Sequence, residues 1–281
     1  MEYTQIARTG HPGLCTCRGW SMAEELEFDE AAVIERFWAG RQSGDYFPSE
    51  WANRLTLDQA YCIQLGIIAR RVALGERQVG WKVGLTAPAI QRQFGFHHPV
   101  FGCLLEEGCK RSGLVFARDA LIKPGFETEL CMQLREPLTG TVDAARARRA
   151  IGHCFPALEI IETRGDPLTQ MMLLVADNAQ QKAFVLGEPI VLSGDLKLPK
   201  VEARVTVNGA EVARGFGDAV LGDPINSVTW LAGKLGELGL TLGAGDMIMT
   251  GSFVRQFPLA PGDRVRAEFT GIGAVEVGVA R

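Results

Sequence analysis

No apolar run in the 281 residues approaches the ~18–20 needed to span a bilayer, so no membrane-spanning segment is expected. The first 21 residues carry Glu2, Arg8, His11 and Arg18 and lack an apolar core, which reads against a secretory signal. Neither sign of charge is in excess. The 29 Lys+Arg against 33 Asp+Glu give a net −4, with no basic footprint for nucleic acid. Cysteine, seven in all and odd in number, is too sparse for a disulfide framework, and its use fits a reducing, cytoplasmic setting. No G-x-G-x-x-G follows a strand-like run, which speaks against a dinucleotide-binding fold. Histidine offers no zinc site: His97-His98 is an isolated pair, and His153 ends a helix-like stretch. His11 with Cys15 and Cys17 makes only a lone C-x-C, a weak metal signal.

Glycine is plentiful. The 33 Gly exceed the usual ~7% and recur without period, which points to turns, bulges and close backbone approaches. Residues 29–44 read as a helix capped by Asp29 and ended by Gly44, and a second helix runs from Thr56 towards Gly75. Beyond Gln78, short aliphatic runs alternate with Gly, Pro and Asp, the texture of strands and turns. Strands are expected at 79–85, 127–134, 158–163, 184–186, 203–207, 247–250, 265–269 and 274–279. Asn208-Gly209 signals a hairpin, and further helices are expected at 142–153 and 225–238. The fold class is α+β, divided into an extension (1–28), a helical region (29–78) and a β-rich body (79–281).

Three acidic residues stand out. In a strand, successive side chains face opposite ways, so Glu127 and Glu129 of FETELCMQL share one face. Glu159 lies inside the aliphatic run PALEII, where an unpaired carboxylate is costly to bury. Three convergent carboxylates suit a hard divalent cation, Mg2+ or Mn2+. The residues alone leave an alternative open: a solvent-facing E-x-E, with Glu159 paired to Arg164 or Lys182. Lys82, between Gly80 and Gly84, is either a partly desolvated amine beside a ligand or an edge-strand lysine. Asp177-Asn178 either caps a turn or faces a site, and the hydroxyls and amides of Thr250-Gly251-Ser252 could meet an anionic group.

In order along the chain stand GWKVGLT, HPVFGCLL, FETELCMQL, FPALEIIETR, ADNAQQKAFVLG, LGDPINSVTWLAGKL, GDMIMTGSF and PLAPGDRVRAEFTGIGAVEV. Together they resemble the hydratase/decarboxylase branch of the fumarylacetoacetate hydrolase superfamily, over nearly all of residues 30–280. The resemblance implies N-terminal helices followed by a mixed β-roll of the fumarylacetoacetate hydrolase C-terminal type. It implies that Glu127, Glu129 and Glu159 hold Mg2+ or Mn2+, so that 79–281 form a metal-binding catalytic domain. It places Lys82 in the active site as the catalytic residue, and Leu85, Thr86, Asn178 and Ser252 along the substrate.

The implied substrate is a small 2-oxo/2-hydroxy-dienoic acid of aromatic catabolism. The implied activity is hydration of 2-hydroxy-2,4-dienoates, of the 2-oxopent-4-enoate type, to 4-hydroxy-2-oxo acids. A 4-oxalocrotonate-type decarboxylase is the first alternative and an acylpyruvate-type C–C hydrolase the second. A non-catalytic regulatory or assembly subunit is the third. Homo-oligomers are implied, with a pathway hydratase/decarboxylase or aldolase as a possible complex partner. Two positions depart from the family's pattern. Val100 stands where an acidic residue is common, and Gln180-Gln181 where a small residue such as Ser is common.

Overall fold

The computed structural model describes residues 28–281 apart from Phe94, Pro167 and Ser193. The extension, with His11, Cys15 and Cys17, lies outside the described residues. Helix α1 (Glu30–Ser43) begins where Asp29 Oδ1 accepts the Ala32 N–H and ends at left-handed Gly44. Helix α2 (Leu57–Ala73) starts in a reciprocal capping box between Thr56 and Gln59. It packs on the β body: Tyr61 stacks on Phe101 with ring centroids 4.1 Å apart, and Gln64 Nε2 donates to the Phe101 and Val175 carbonyls.

The chain then forms β1 (Gln78–Gly84), α3 (Pro88–Gln93), β2 (Val100–Leu105), β3 (Cys109–Arg111), β4 (Leu114–Phe116) and β5 (Pro124–Leu134). Next come α4 (Ala144–Ala150), β6 (Ile151–Glu162), α5 (Met171–Ala176), β7 (Gln181–Leu186) and β8 (Ile190–Val191). The hairpin β9 (Glu202–Val207) and β10 (Ala210–Phe216) turns at Asn208-Gly209, both at positive φ. Helix α6 (Pro224–Glu237), β11 (Met247–Ser252), β12 (Phe257–Pro258), β13 (Arg264–Phe269) and β14 (Gly273–Val279) complete the described chain.

One sheet runs β2-β1-β11-β5-β6-β7-β3, with β12 beside β5 and β8 beside β6; the other runs β10-β9-β13-β14-β4. Three pairs, β1 with β11, β3 with β7 and β4 with β14, are parallel, so the body is mixed. The larger sheet curls until β2 reaches β7 and the turn before it. Its concave face carries an apolar patch of Leu104, Cys131, Phe155, Ala157, Phe184 and Met249, separate from the main core. The α+β class with N-terminal helices and a β-rich remainder is the architecture observed. None of the five described cysteines forms a disulfide, and no described helix is long and apolar enough to cross a membrane.

Three expectations change. The helix foreseen at 142–153 stops at Ala150, because Ile151 and His153 pair with Leu134 and Gln133 and ladder hydrogen bonds override helical periodicity. The strand foreseen at 158–163 is the second half of a longer one. Pro156 hid its continuity, and the missing N–H falls where the neighbour of β6 changes from β8 to β7. Strand β2 was not foreseen, since VFGCLL is buried throughout and shows no alternation.

Candidate metal centre

Strands β5 and β6 pair antiparallel with Glu127 directly opposite Glu159. The two-residue period puts Glu129 on the same face. One carboxylate oxygen from each of the three lies within 4.8 Å of the others. Glu129 and Glu159 are buried, and Glu127 keeps partial access to solvent. The solvent-facing E-x-E is therefore not what forms. Arg164 and Lys182 do not pair with Glu159 either; both pair with Glu162, on the opposite face, at 2.6 and 3.6 Å.

The cation that meets Glu159 is Lys82. Its Nζ stands 3.6 Å from Glu159 Oε1, reaching over the concave face although β11 and β5 lie between the two strands. Strand β1 sits between β2 and β11, and Lys82 is 4% exposed, which removes the edge-strand reading. Glycines on either side make room for the amine. A Cβ at Gly102, its partner across the β1–β2 ladder, would lie 3.3 Å from Lys82 Cγ. A Cβ at Gly84 would lie 3.4 Å from Lys82 Nζ and 3.5 Å from Val100 Cγ2.

Three carboxylates face one ammonium in the pocket, an excess of two negative charges when all are ionised. Burial pushes the Glu127 carboxyl above its ordinary range, opposed by Lys82. Burial and then repulsion from Glu159 and Glu127 push Glu129 well above it. Burial also raises Glu159 to about 7, with Lys82 opposing the rise and Glu127 adding to it. Burial alone would lower the Lys82 ammonium, but Glu159, Glu127 and Glu129 outweigh it and hold the amine charged. Glu129 Oε2 accepts the Gly251 N–H at 2.8 Å, while Glu129 Oε1 and both oxygens of Glu159 accept no hydrogen bond. Buried acceptors left unpaired and converging on one point form a cradle that could hold a divalent cation. The donors are all oxygen, which suits a hard ion. Among the described residues this is the one such cluster of three.

The remaining foreseen residues sit at or just beyond the ends of β1, α5 and β11. Leu85 follows β1 at φ 56°, its carbonyl accepting from Gln91 Nε2 at 2.8 Å. Thr86 is buried against Gly251, where a Cβ would meet Thr86 Oγ1 at 2.4 Å. The anionic group met by the Gly251 amide is Glu129 itself. Ser252 Oγ accepts the Thr128 N–H at 3.0 Å and fastens β11 to β5. Asn178 uses both ends of its amide on β2: Oδ1 accepts the Cys103 N–H at 2.7 Å, and Nδ2 donates to the Cys103 carbonyl at 2.9 Å. It thereby seals the edge at which the sheet would otherwise stay open. Sequence reasoning missed Gly102 and this sealing role. The apolar strand through Val100–Leu105 was the available signal.

The Fumarylacetoacetate (FAA) hydrolase C-terminal family matches residues 112–280. A 2-keto-4-pentenoate hydratase of Paraburkholderia xenovorans (strain LB400) is 34% identical over 233 residues, 82% of this chain and 85% of that protein. A 4-oxalocrotonate decarboxylase of Pseudomonas sp. (strain CF600) is 34% identical over 223 residues, 79% of this chain and 84% of that one. Among solved structures, the 4-oxalocrotonate decarboxylase from Pseudomonas putida G7 complexed with magnesium and adipate superposes with a TM-score of 0.79. It shares 32% identity and covers 89% of this chain and 95% of its own.

Proposed function

Because the chain belongs to the fumarylacetoacetate hydrolase family, we propose that it is a divalent-metal-dependent lyase acting on 2-oxo/2-hydroxy-dienoic acids. Its reaction in this reading is hydration of a 2-hydroxy-2,4-dienoate to a 4-hydroxy-2-oxo acid. The observation that carries the reading is the buried triangle of Glu127, Glu129 and Glu159 with unpaired oxygens and Lys82 against it. Mg2+ or Mn2+ fits this all-oxygen set, and when bound it supplies Lewis acidity and a template for the carboxylate and keto oxygens of a 2-oxo acid.

The chain's own groups do the rest. Glu127, Glu129 and Glu159 hold the cation, and the Gly251 amide orients the Glu129 carboxylate. Lys82 is the catalytic residue. As a buried ammonium, it attracts the substrate's negative end and holds a proton at Nζ for transfer to or from the carbon skeleton. Leu85 and Thr86 line the substrate at the end of β1, while Ser252 and Asn178 fix the walls around it. Residues 79–281 carry this chemistry, and 29–78 form the packing layer over β2. The same reading extends to a homo-oligomer, which sedimentation would measure, and to docking with an enzyme that supplies or consumes the product.

A decarboxylase is the second reading, favoured by Val100. This residue is buried, and the space at Gly84 separates it from the Lys82 amine, so β2 offers no acid there for delivering water. Purified protein with Mg2+ or with EDTA would be given 2-hydroxypenta-2,4-dienoate and, separately, 2-oxohex-3-enedioate. Absorbance would be followed and products weighed by mass spectrometry. Metal-dependent gain of water on the first supports the hydratase; loss of CO2 from the second alone supports the decarboxylase. Undiminished turnover in metal-free protein would sink both.

A further inference from the structure

Outside the carboxylate pocket lies a second buried ionic cluster, centred on Arg164, whose side chain is 2% exposed. Its Nε donates to Asp177 Oδ2 at 2.5 Å, Nη1 to Glu162 Oε2 at 2.6 Å and Nη2 to the Asp177 carbonyl at 3.4 Å. The guanidinium also sits 5.0 Å from the Tyr46 ring centroid. Its backbone is fixed from the far side, since a Cβ on the next residue, Gly165, would stand 2.2 Å from the Phe47 ring. Asp177 leads into Asn178, Ala179 and Gln180, three consecutive non-glycine residues at φ 55°, 48° and 61°. A left-handed run of that kind persists only where its surroundings over-determine it. Its product is the Asn178 amide bridging Cys103, with the Asn178 carbonyl and Lys82 Cγ facing each other over the bare Cα of Gly102.

We propose that Arg164 is a positioning residue: by clamping Asp177 it holds the Asn178–Gln180 turn against β2, and so fixes the wall that keeps Lys82 in register with Glu159. Two features separate this from general support of the fold. The clamp grips both the side chain and the carbonyl of Asp177, the residue immediately before the turn. Arg41 also pairs with Asp177, at 3.3 Å, and would keep that carboxylate partnered when Arg164 is replaced. The inference rests on the proposed reading of Lys82 as the catalytic residue, so its test includes measurements independent of turnover.

Full-length, metal-replete Arg164→Met and Arg164→Lys proteins would be compared with wild type by hydrogen exchange of peptides covering 100–105. The rate of Lys82 acylation by an amine-reactive ester, Mn2+ titration calorimetry and steady-state kinetics would complete the set. Arg164→Met is expected to exchange faster at 100–105 and label faster at Lys82, with protection in β5 and β6 and Mn2+ affinity unchanged. Its kcat should fall roughly 10- to 100-fold, the scale of an ångström-level misplacement, with KM changed far less. Arg164→Lys, which keeps a cation against Asp177, should recover most of the loss. Unchanged exchange and labelling in Arg164→Met, or protection lost evenly across the sheet, would overturn the clamp. If Arg164→Met fails to fold, Asp177→Asn makes the same test with the side chain's shape kept. If wild type turns over no dienoate, the functional reading fails, while exchange and labelling still decide the clamp.

Discussion

At the scale of single residues, the pocket is defined by an imbalance of charge. Among the described residues Lys82 is the one cation within ion-pair distance of it, and breaking a buried ion pair by removing one partner costs about 3–5 kcal/mol. Lys82→Met should therefore lower the melting temperature of metal-free protein sharply. Mg2+ should restore most of it, because the cation then neutralises the carboxylates. Turnover should stay at least roughly 100-fold down with metal present, the usual contribution of a positioned proton-transfer group. Differential scanning fluorimetry with and without EDTA, beside a rate assay, reads both effects. Glu159→Gln removes the other partner of that pair, so it should also lower apo stability. Mg2+ should not restore it, because Mn2+ affinity falls by at least roughly tenfold in calorimetry, as for a lost metal-ligand charge. Gly84→Val fills the space between Lys82 Nζ and Val100. It should raise KM or abolish turnover with Mn2+ affinity unchanged; wild-type kinetics in that variant would move the substrate elsewhere.

At the scale of elements, the centre depends on a break in one strand. The register of β11 on β5 shifts between Met249 and Ser252, and Gly251 occupies the shift at φ 110° with its amide aimed at Glu129. A Cβ there meets a disfavoured backbone region and the Thr86 hydroxyl at 2.4 Å. Gly251→Ala should cost about 1–3 kcal/mol and weaken Mn2+ binding as well, since Glu129 loses its orienting donor. Urea unfolding and calorimetry on one preparation would show whether the two losses travel together. Such breaks also mark what was legible in the sequence. The first N-terminal helix was readable from its Asp29 cap and the second from its apolar run between Thr56 and Gly75, and the carboxylate face was readable because the two-residue period of a strand fixes Glu127 beside Glu129. The pairing of Glu159 with Lys82 was not, because two strands separate them and only the curl of the sheet joins them. Pro156 and the uniformly apolar β2 misled for a related reason. Local pattern records which face a residue shows, not which strand arrives next to it.

At the scale of the whole molecule, the pocket couples folding to pH and metal. In metal-free protein, burial pushes Glu159 up to about 7 against an ordinary 4.5, and Glu129 is raised well above its ordinary value too. The folded state then holds protons that the unfolded chain has already released. Stability falls with pH wherever the folded state binds more protons. The contribution is complete below about pH 4.5, declines as pH rises through 7, and continues to decline higher as Glu129 is forced to ionise. The Glu159 shift alone corresponds to about 3 kcal/mol at 1.36 kcal/mol per pKa unit, which is several degrees in Tm for a chain of this size. Saturating Mg2+ reverses the slope, since the ion binds only the deprotonated carboxylates and its affinity rises as protons leave. Melting curves from pH 5 to pH 8 should therefore diverge, falling in EDTA and level or rising in Mg2+, with the gap widest at the alkaline end. A constant gap would mean that the carboxylates are already ionised in the empty pocket and that Lys82 is sufficient to hold them. Coincident curves would mean that the three carboxylates are not the metal's ligands.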